Sequence, residues 1–150
     1  MSTWTEELTA QADPAAILEV LTDPDACERW APIDFEVSAL DDDRLRPGTR
    51  AQIAGRLAGR EVGFEVEILA ADEERLALVA SGPVALDVEY RLRAVPEGSH
   101  VRASIEVRPT RPGLAGRLLA QATAAVLAGG ALRTGLARVV REAEDLALAV

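Results

Sequence analysis

The chain of 150 residues contains no lysine and no asparagine, and it has one cysteine, one histidine and few aromatic residues. The single cysteine, Cys27, excludes an intrachain disulfide and a cysteine-rich metal site. The single histidine, His100, excludes a two-histidine metal motif, and the absence of lysine excludes a Schiff-base nucleophile. The sequence also lacks a phosphate-binding glycine loop, a dinucleotide fingerprint and a nucleophile elbow. We therefore expect neither a metal nor an organic cofactor.

Acidic residues outnumber basic residues, with 25 aspartates and glutamates against 16 arginines and a formal net charge of −9 at pH 7. This charge disfavours nucleic acid and anionic membrane surfaces, because both bind clustered cations. No apolar run reaches the roughly 20 residues of a membrane span, and the first residues lack the pattern of a secretory signal. We therefore expect one cytoplasmic domain over residues 1–150, without a nucleic-acid partner or a membrane span.

Two Asp-Pro pairs, Asp13-Pro14 and Asp23-Pro24, follow a short β-prone segment at residues 3–10. Aspartate is a favoured helix N-cap, and proline fits the first helical position because its missing N–H would have no intrahelical partner there. The sequence therefore predicts two short helices directly after a first strand.

From Phe35 onward the apolar residues alternate with charged ones over six segments. A period of two predicts strands with one buried face, and the short Gly- and Pro-containing turns between the segments favour antiparallel hairpins. With the first strand, these segments predict a seven-stranded antiparallel sheet. The six segments are residues 35–39, 49–57, 61–68, 76–81, 84–93 and 101–108.

Residues 114 to 147 have a helical pattern, with apolar or small residues spaced by three and four positions. The pair Gly129-Gly130 interrupts this segment, because each glycine costs up to about 1 kcal/mol in a helix interior. Either the helix bends there or two helices meet there, and we favour one kinked helix. The expected buried stripe is Leu114, Leu118, Ala122, Ala125, Gly129, Leu132, Leu136, Val139, Ala143 and Leu146.

The chain resembles the START/Bet v 1-like helix-grip superfamily (SRPBCC), and within it the polyketide cyclase/dehydrase group. The resemblance covers nearly the whole chain and is carried by the segments 12–24, Trp30-Ala31-Pro32, 45–50 and 136–144. It implies an α+β helix-grip fold, in which a curved seven-stranded sheet holds a long C-terminal helix across its concave face. Members of the superfamily bind or transport lipids and polyketides, or act as cyclases and aromatases, so the resemblance leaves the reaction open.

Small residues on the expected inner face of the C-terminal helix predict an apolar cavity between the helix and the sheet. Ligand cavities usually measure roughly 300 to 1,000 Å³. The alternative is a filled interior, with the helix packed closer to the sheet. The candidate ligand-binding residues are Trp30, Phe35, Ile53, Phe64, Val66, Leu86, Tyr90, Val101, Ala103, Ile105, Leu118, Ala122, Ala125 and Gly129.

Three functions remain open from the sequence: binding of a hydrophobic polyketide- or lipid-like molecule, ring closure as a cyclase or aromatase, and an interaction module without a ligand. Tyr90 is the best single candidate for a proton donor in catalysis, although we favour the alternative that it is an amphipathic core tyrosine. Thr49 and Glu6 are the other polar side chains expected to point inward. An acyl carrier protein, if it is a partner, would dock on a basic patch of Arg44, Arg46 and Arg50.

Overall fold

A computed structural model describes residues 2–31, 35–57, 59–110 and 113–148, and within these ranges the chain forms seven strands and four helices. The expected α+β helix-grip architecture is confirmed. Because proline cannot continue a helix, the sequence predicts that the second short helix stops near Pro32, a residue that lies outside the described ranges. In chain order the elements are β1 (Ser2–Ala10), α1 (Pro14–Leu21), α2 (Pro24–Trp30), β2 (Phe35–Leu40), β3 (Arg50–Leu57), β4 (Arg60–Ala71), β5 (Arg75–Ser81), β6 (Val84–Val95), β7 (Gly98–Pro109), α3 (Leu114–Ala128) and α4 (Ala131–Leu148).

All seven strands belong to one antiparallel sheet in the order β1-β7-β6-β5-β4-β3-β2, so that β1 and β2 are its edges. The register shifts between Val37 and Ala39 in β2 and between Ile68 and Ala70 in β4. Such irregularities increase the local twist and bend of a strand, which helps the sheet to curve. The helices cover one face of this curved sheet.

Both Asp-Pro pairs start helices as predicted. The carboxylate of Asp13 accepts a hydrogen bond from the backbone N–H of Ala16 at 2.9 Å. That of Asp23 accepts one from the backbone N–H of Asp25 at 3.0 Å. Each cap satisfies a backbone N–H that has no partner within its helix, and together they fix where α1 and α2 begin.

The C-terminal segment is two helices, so the favoured single kinked helix is wrong. The helix α3 ends at Ala128, and Gly130 has a φ of +93°, in the left-handed region where glycine is favoured. A residue in that region ends a helix instead of bending it. A second helix, α4, therefore begins at Ala131.

The break changes which residues of the predicted stripe are buried. In α4 the prediction holds for Leu132, Leu136, Val139 and Ala143, all of which are buried. In α3 it fails, because the buried positions include Thr123 and Leu127. The predicted positions that are exposed are Leu114, Leu118, Ala125, Gly129 and Leu146.

The two halves of the sheet are covered differently. The helix α4 packs against β1, α1 and α2, whereas α3 contacts β7 and, less extensively, β1, β3 and β6. An ion pair and a hydrogen bond connect α2 to α4. Arg29 Nε lies 2.6 Å from Glu142 Oε1, and Arg138 donates a hydrogen bond to the Arg29 carbonyl at 2.8 Å. The core under α1 and α4 includes fully buried residues such as Ile17 and Leu136. None of the described helices is both long and apolar enough to cross a membrane.

Candidate functional site

A cavity of about 130 Å³ lies between α2, the strands β2 to β7 and the end of α3. Pro24, Cys27 and Trp30 of α2 form one wall, and Leu127 is the contribution of α3. The opposite wall consists of strand residues that share one parity, among them Ala51, Leu78 and Ala80. Every described residue of the lining is apolar or weakly polar, and none carries a charge at neutral pH.

The cavity is smaller than the expected 300 to 1,000 Å³. Three of the five aromatic residues, Trp30, Phe35 and Phe64, line it. The small residues that leave room are on the strands, at Ala51, Gly55 and Ala80, and not on the helix as expected. A dry apolar cavity of about 150 Å³ can bind benzene, so this volume matches a single aromatic ring.

Half of the fourteen predicted ligand-binding residues line the cavity. Strand parity correctly placed those on the sheet between β2 and β7, because alternate residues of a strand share a face. The lining residues that were predicted are Trp30, Phe35, Ile53, Phe64, Val66, Leu86 and Ile105.

The other seven predicted residues lie elsewhere. Tyr90, Val101 and Ala103 are buried in the core outside the cavity, on the part of the sheet next to β1. On α3, Leu118, Ala125 and Gly129 are exposed and Ala122 is half-buried, because the true buried face of this helix runs through Thr123 and Leu127. Ala51, Leu78, Ala80 and Val88 were missed, although their strand parity could have identified them.

Trp30 and Tyr90 are in direct contact at the α2 wall. Their ring centroids are 5.4 Å apart with the planes at 75°, an edge-to-face arrangement. Both side chains are buried, and neither Trp30 Nε1 nor Tyr90 Oη has a hydrogen-bonding partner among the described residues. Burial, with a smaller contribution from the Cys27 thiol, raises the pKa of Tyr90. The phenol therefore stays protonated at neutral pH and is not a general base.

The Cys27 thiol is part of the cavity wall. Its Sγ donates a weak hydrogen bond to the Leu21 carbonyl at 3.6 Å. Burial, followed by the nearby Asp23 and Glu28 carboxylates, raises the pKa of Cys27 to about 12. The thiolate is the nucleophilic form, so a thiol with this pKa behaves as a small apolar side chain at neutral pH.

The other two polar residues expected to point inward do not reach the cavity. Thr49 is buried, and its hydroxyl accepts a hydrogen bond from the backbone N–H of Arg46 at 2.9 Å, which stabilises the turn before β3. Glu6 pairs with Arg133 of α4 at 3.3 Å. Among the described residues, no group of three or more histidine, cysteine or carboxylate side chains could hold a metal ion.

The predicted basic patch is neutralised by nearby carboxylates. Arg44 lies 3.0 Å from Glu19, and Arg50 lies 3.9 Å from both Glu65 and Glu67. Arg46 is similarly within 4 Å of two aspartates, Asp42 and Asp43. Because each guanidinium has an acidic neighbour, these arginines do not form the free cationic surface that a carrier-protein docking site would need.

Solved structures from bacteria share this fold. The Zhui aromatase/cyclase from Streptomyces sp. R1128 aligns with a TM-score of 0.72 and 17% identity, over 95% of this chain and 93% of its own. TTHA0849 from Thermus thermophilus aligns with a TM-score of 0.70 and 17% identity, over 99% and 100% of the two chains. CV1439 from Chromobacterium violaceum aligns with a TM-score of 0.68 and 15% identity, over 96% of this chain and 99% of its own. At these identities the likeness concerns the fold.

Sequence comparison identifies the family. No curated protein matches the sequence. The family model described as polyketide cyclase / dehydrase and lipid transport matches residues 1–144, which is nearly the entire chain. The strand order, the two capped helices and the apolar cavity beneath α2 agree with that match, and the chain belongs to the polyketide cyclase/dehydrase and lipid transport family.

Proposed function

We propose that this protein binds a hydrophobic small molecule in the cavity under α2, without catalysing a reaction on it. The observation that carries the proposal is the uninterrupted apolar wall, from Pro24 and Trp30 on α2 to Ala80 on β5 and Leu127 on α3. An apolar cavity that excludes water favours the transfer of an apolar molecule out of water. Storage, transport and delivery of a lipid- or polyketide-like metabolite all require this property.

The chemistry of the wall supports binding over ring closure. A cyclase must move protons to and from the substrate, which requires an acid or base with a pKa near the working pH. The one titratable side chain in the described wall is Cys27, and its pKa of about 12 leaves it protonated. Tyr90 is outside the wall and has a raised pKa as well. Incubation with a poly-β-ketone is therefore expected to leave it uncyclised, and turnover would instead favour the cyclase.

The cavity volume determines which ligand to test first. Benzene matches a space of this size, and it should raise the melting temperature of the protein because it binds the folded state alone. At ten times its dissociation constant a ligand stabilises the folded state by about 1.4 kcal/mol. If benzene produces no concentration-dependent shift, the proposed function is wrong.

We expect Ala80→Leu to abolish most of this binding. Ala80 is buried in the cavity wall on β5, so a leucine side chain would occupy the space that the probe needs. The dissociation constant for benzene should rise by about tenfold or more, which corresponds to about 1.4 kcal/mol. It can be measured by isothermal titration calorimetry.

Ala54→Leu is the matched control, because Ala54 is exposed on strand β3 of the same sheet and does not line the cavity. This variant should bind benzene as the wild type does. Equal affinities in Ala80→Leu and Ala54→Leu would mean that the probe sits somewhere other than the proposed cavity.

A further inference from the structure

Two buried polar atoms lack partners at the edge of the cavity. Trp30 is 4% exposed and Tyr90 is fully buried, and neither Trp30 Nε1 nor Tyr90 Oη has a hydrogen-bonding partner among the described residues. Native proteins rarely leave such groups unpaired, because burial removes them from water without replacing the lost hydrogen bond. Two unpaired groups on side chains in mutual contact therefore mark a place where a polar atom would be bound favourably.

The two groups define the chemistry of that atom. An indole N–H can donate a hydrogen bond but cannot accept one, whereas a protonated phenol can do either. The ligand atom that pairs with Trp30 must therefore be an acceptor. A carbonyl oxygen has two lone pairs and can accept from both groups.

The pair adjoins the ligand cavity through Trp30. Trp30 lines the cavity, and it contacts Tyr90, which does not. Cys27 also lines the cavity and is close enough to Tyr90 to affect its pKa. For a ligand to pair with both groups, the cavity must widen at Trp30.

We infer that Trp30 and Tyr90 are specificity-determining residues, which select an apolar ligand carrying a carbonyl-type acceptor oxygen bound by Trp30 Nε1–H and Tyr90 Oη–H. This inference rests on the proposed function, because it assumes that the cavity holds a ligand. It adds a polar requirement that the apolar wall alone would not impose.

The test compares two probes of nearly equal shape, acetophenone and α-methylstyrene, in which a C=O replaces a C=CH₂. Their dissociation constants are measured for the wild type, Tyr90→Phe and Trp30→Phe. Water solvates the ketone better, so the informative quantity is the ratio of the two constants in each protein. Loss of one hydrogen bond should raise the ketone-to-alkene ratio by about five- to tenfold in either variant. The carbonyl stretching band of bound acetophenone should also move to higher frequency in Tyr90→Phe.

Phe35→Leu is the matched control, because it alters an aromatic wall residue without removing a polar atom. It should change both constants in parallel and leave their ratio as in the wild type. A ratio that is unchanged in Tyr90→Phe or in Trp30→Phe overturns the inference, while binding of both probes leaves the proposed function intact. If benzene raises the melting temperature of the wild type but neither of these larger probes binds it, the inference fails and the proposed function stands.

Discussion

At pH 11 the buried thiol of Cys27 by itself is expected to make the protein about 3 kcal/mol less stable toward unfolding than at pH 8. Burial raises the pKa of this thiol from 9.0 to about 12 in the folded state. Below pH 9 the thiol is protonated in both states and has no effect. Between pH 9 and pH 12 the unfolded state releases the proton while the folded state retains it. Stability then falls by about 1.4 kcal/mol per pH unit.

The composition of the chain makes this effect easy to isolate. There is no lysine, and the sixteen arginines stay charged throughout the range. The other side chain that titrates there is Tyr90, the single tyrosine, whose pKa is also raised by burial. It should steepen the loss of stability above pH 10, because the unfolded tyrosine ionises while the folded one does not.

Urea unfolding at pH 8, 9, 10 and 11 in the presence of a reductant would measure the slope. Cys27→Ala should flatten it between pH 9 and 10, and Tyr90→Phe should remove the additional loss above pH 10. The slopes are compared and not the absolute stabilities, because Cys27→Ala also deletes a buried sulfur atom. A wild-type slope equal to that of the double variant would show that neither group is held protonated by burial.

The sequence alone was sufficient for most of the fold because its signals are local. An aspartate before a proline caps a helix through its own side chain, and both α1 and α2 begin where Asp13 and Asp23 predict. Alternation with a period of two identifies a strand and its buried face without reference to its neighbours. The order of elements then matched the helix-grip resemblance, which no single segment could have supplied.

The helix side of the site could not be predicted because its phase depends on one backbone conformation. The stripe from Leu118 to Gly129 assumes that helical phase continues to Leu132, but Gly130 with a φ of +93° interrupts it. Composition cannot distinguish a glycine that bends a helix from one that ends it. The volume was overestimated for a related reason, since Ala125 and Gly129 of α3 are exposed, whereas the aromatic residues Phe35 and Phe64 line the cavity.

Gly98→Ala is expected to be severely destabilising for a change of one methyl group, with a loss of roughly 3 to 5 kcal/mol of stability. Gly98 starts β7 with a φ of +144°, a conformation that other residues rarely adopt. A Cβ at this position would clash with the Ala10 carbonyl oxygen and lie 2.7 Å from the Ala12 nitrogen. Both contacts are with backbone, so no side-chain rotation relieves them. Any shift also strains the hydrogen bond from Ser99 Oγ to the Ala12 carbonyl, now 2.7 Å.

Gly59→Ala separates backbone strain from the clash. Gly59 has a φ of +76°, but a Cβ there would meet no atom within 4 Å, so only the strain of about 1 kcal/mol applies. Chemical unfolding should therefore show that the free energy of unfolding of Gly98→Ala is well below that of Gly59→Ala. Residues 10–12, which lie against Gly98, join β1 to the Asp13 cap of α1. The substitution should therefore displace the start of that helix. Equal stability of the two variants would mean that the β6–β7 turn can withdraw from this segment at little cost, and that its close packing does not fix α1 against the sheet.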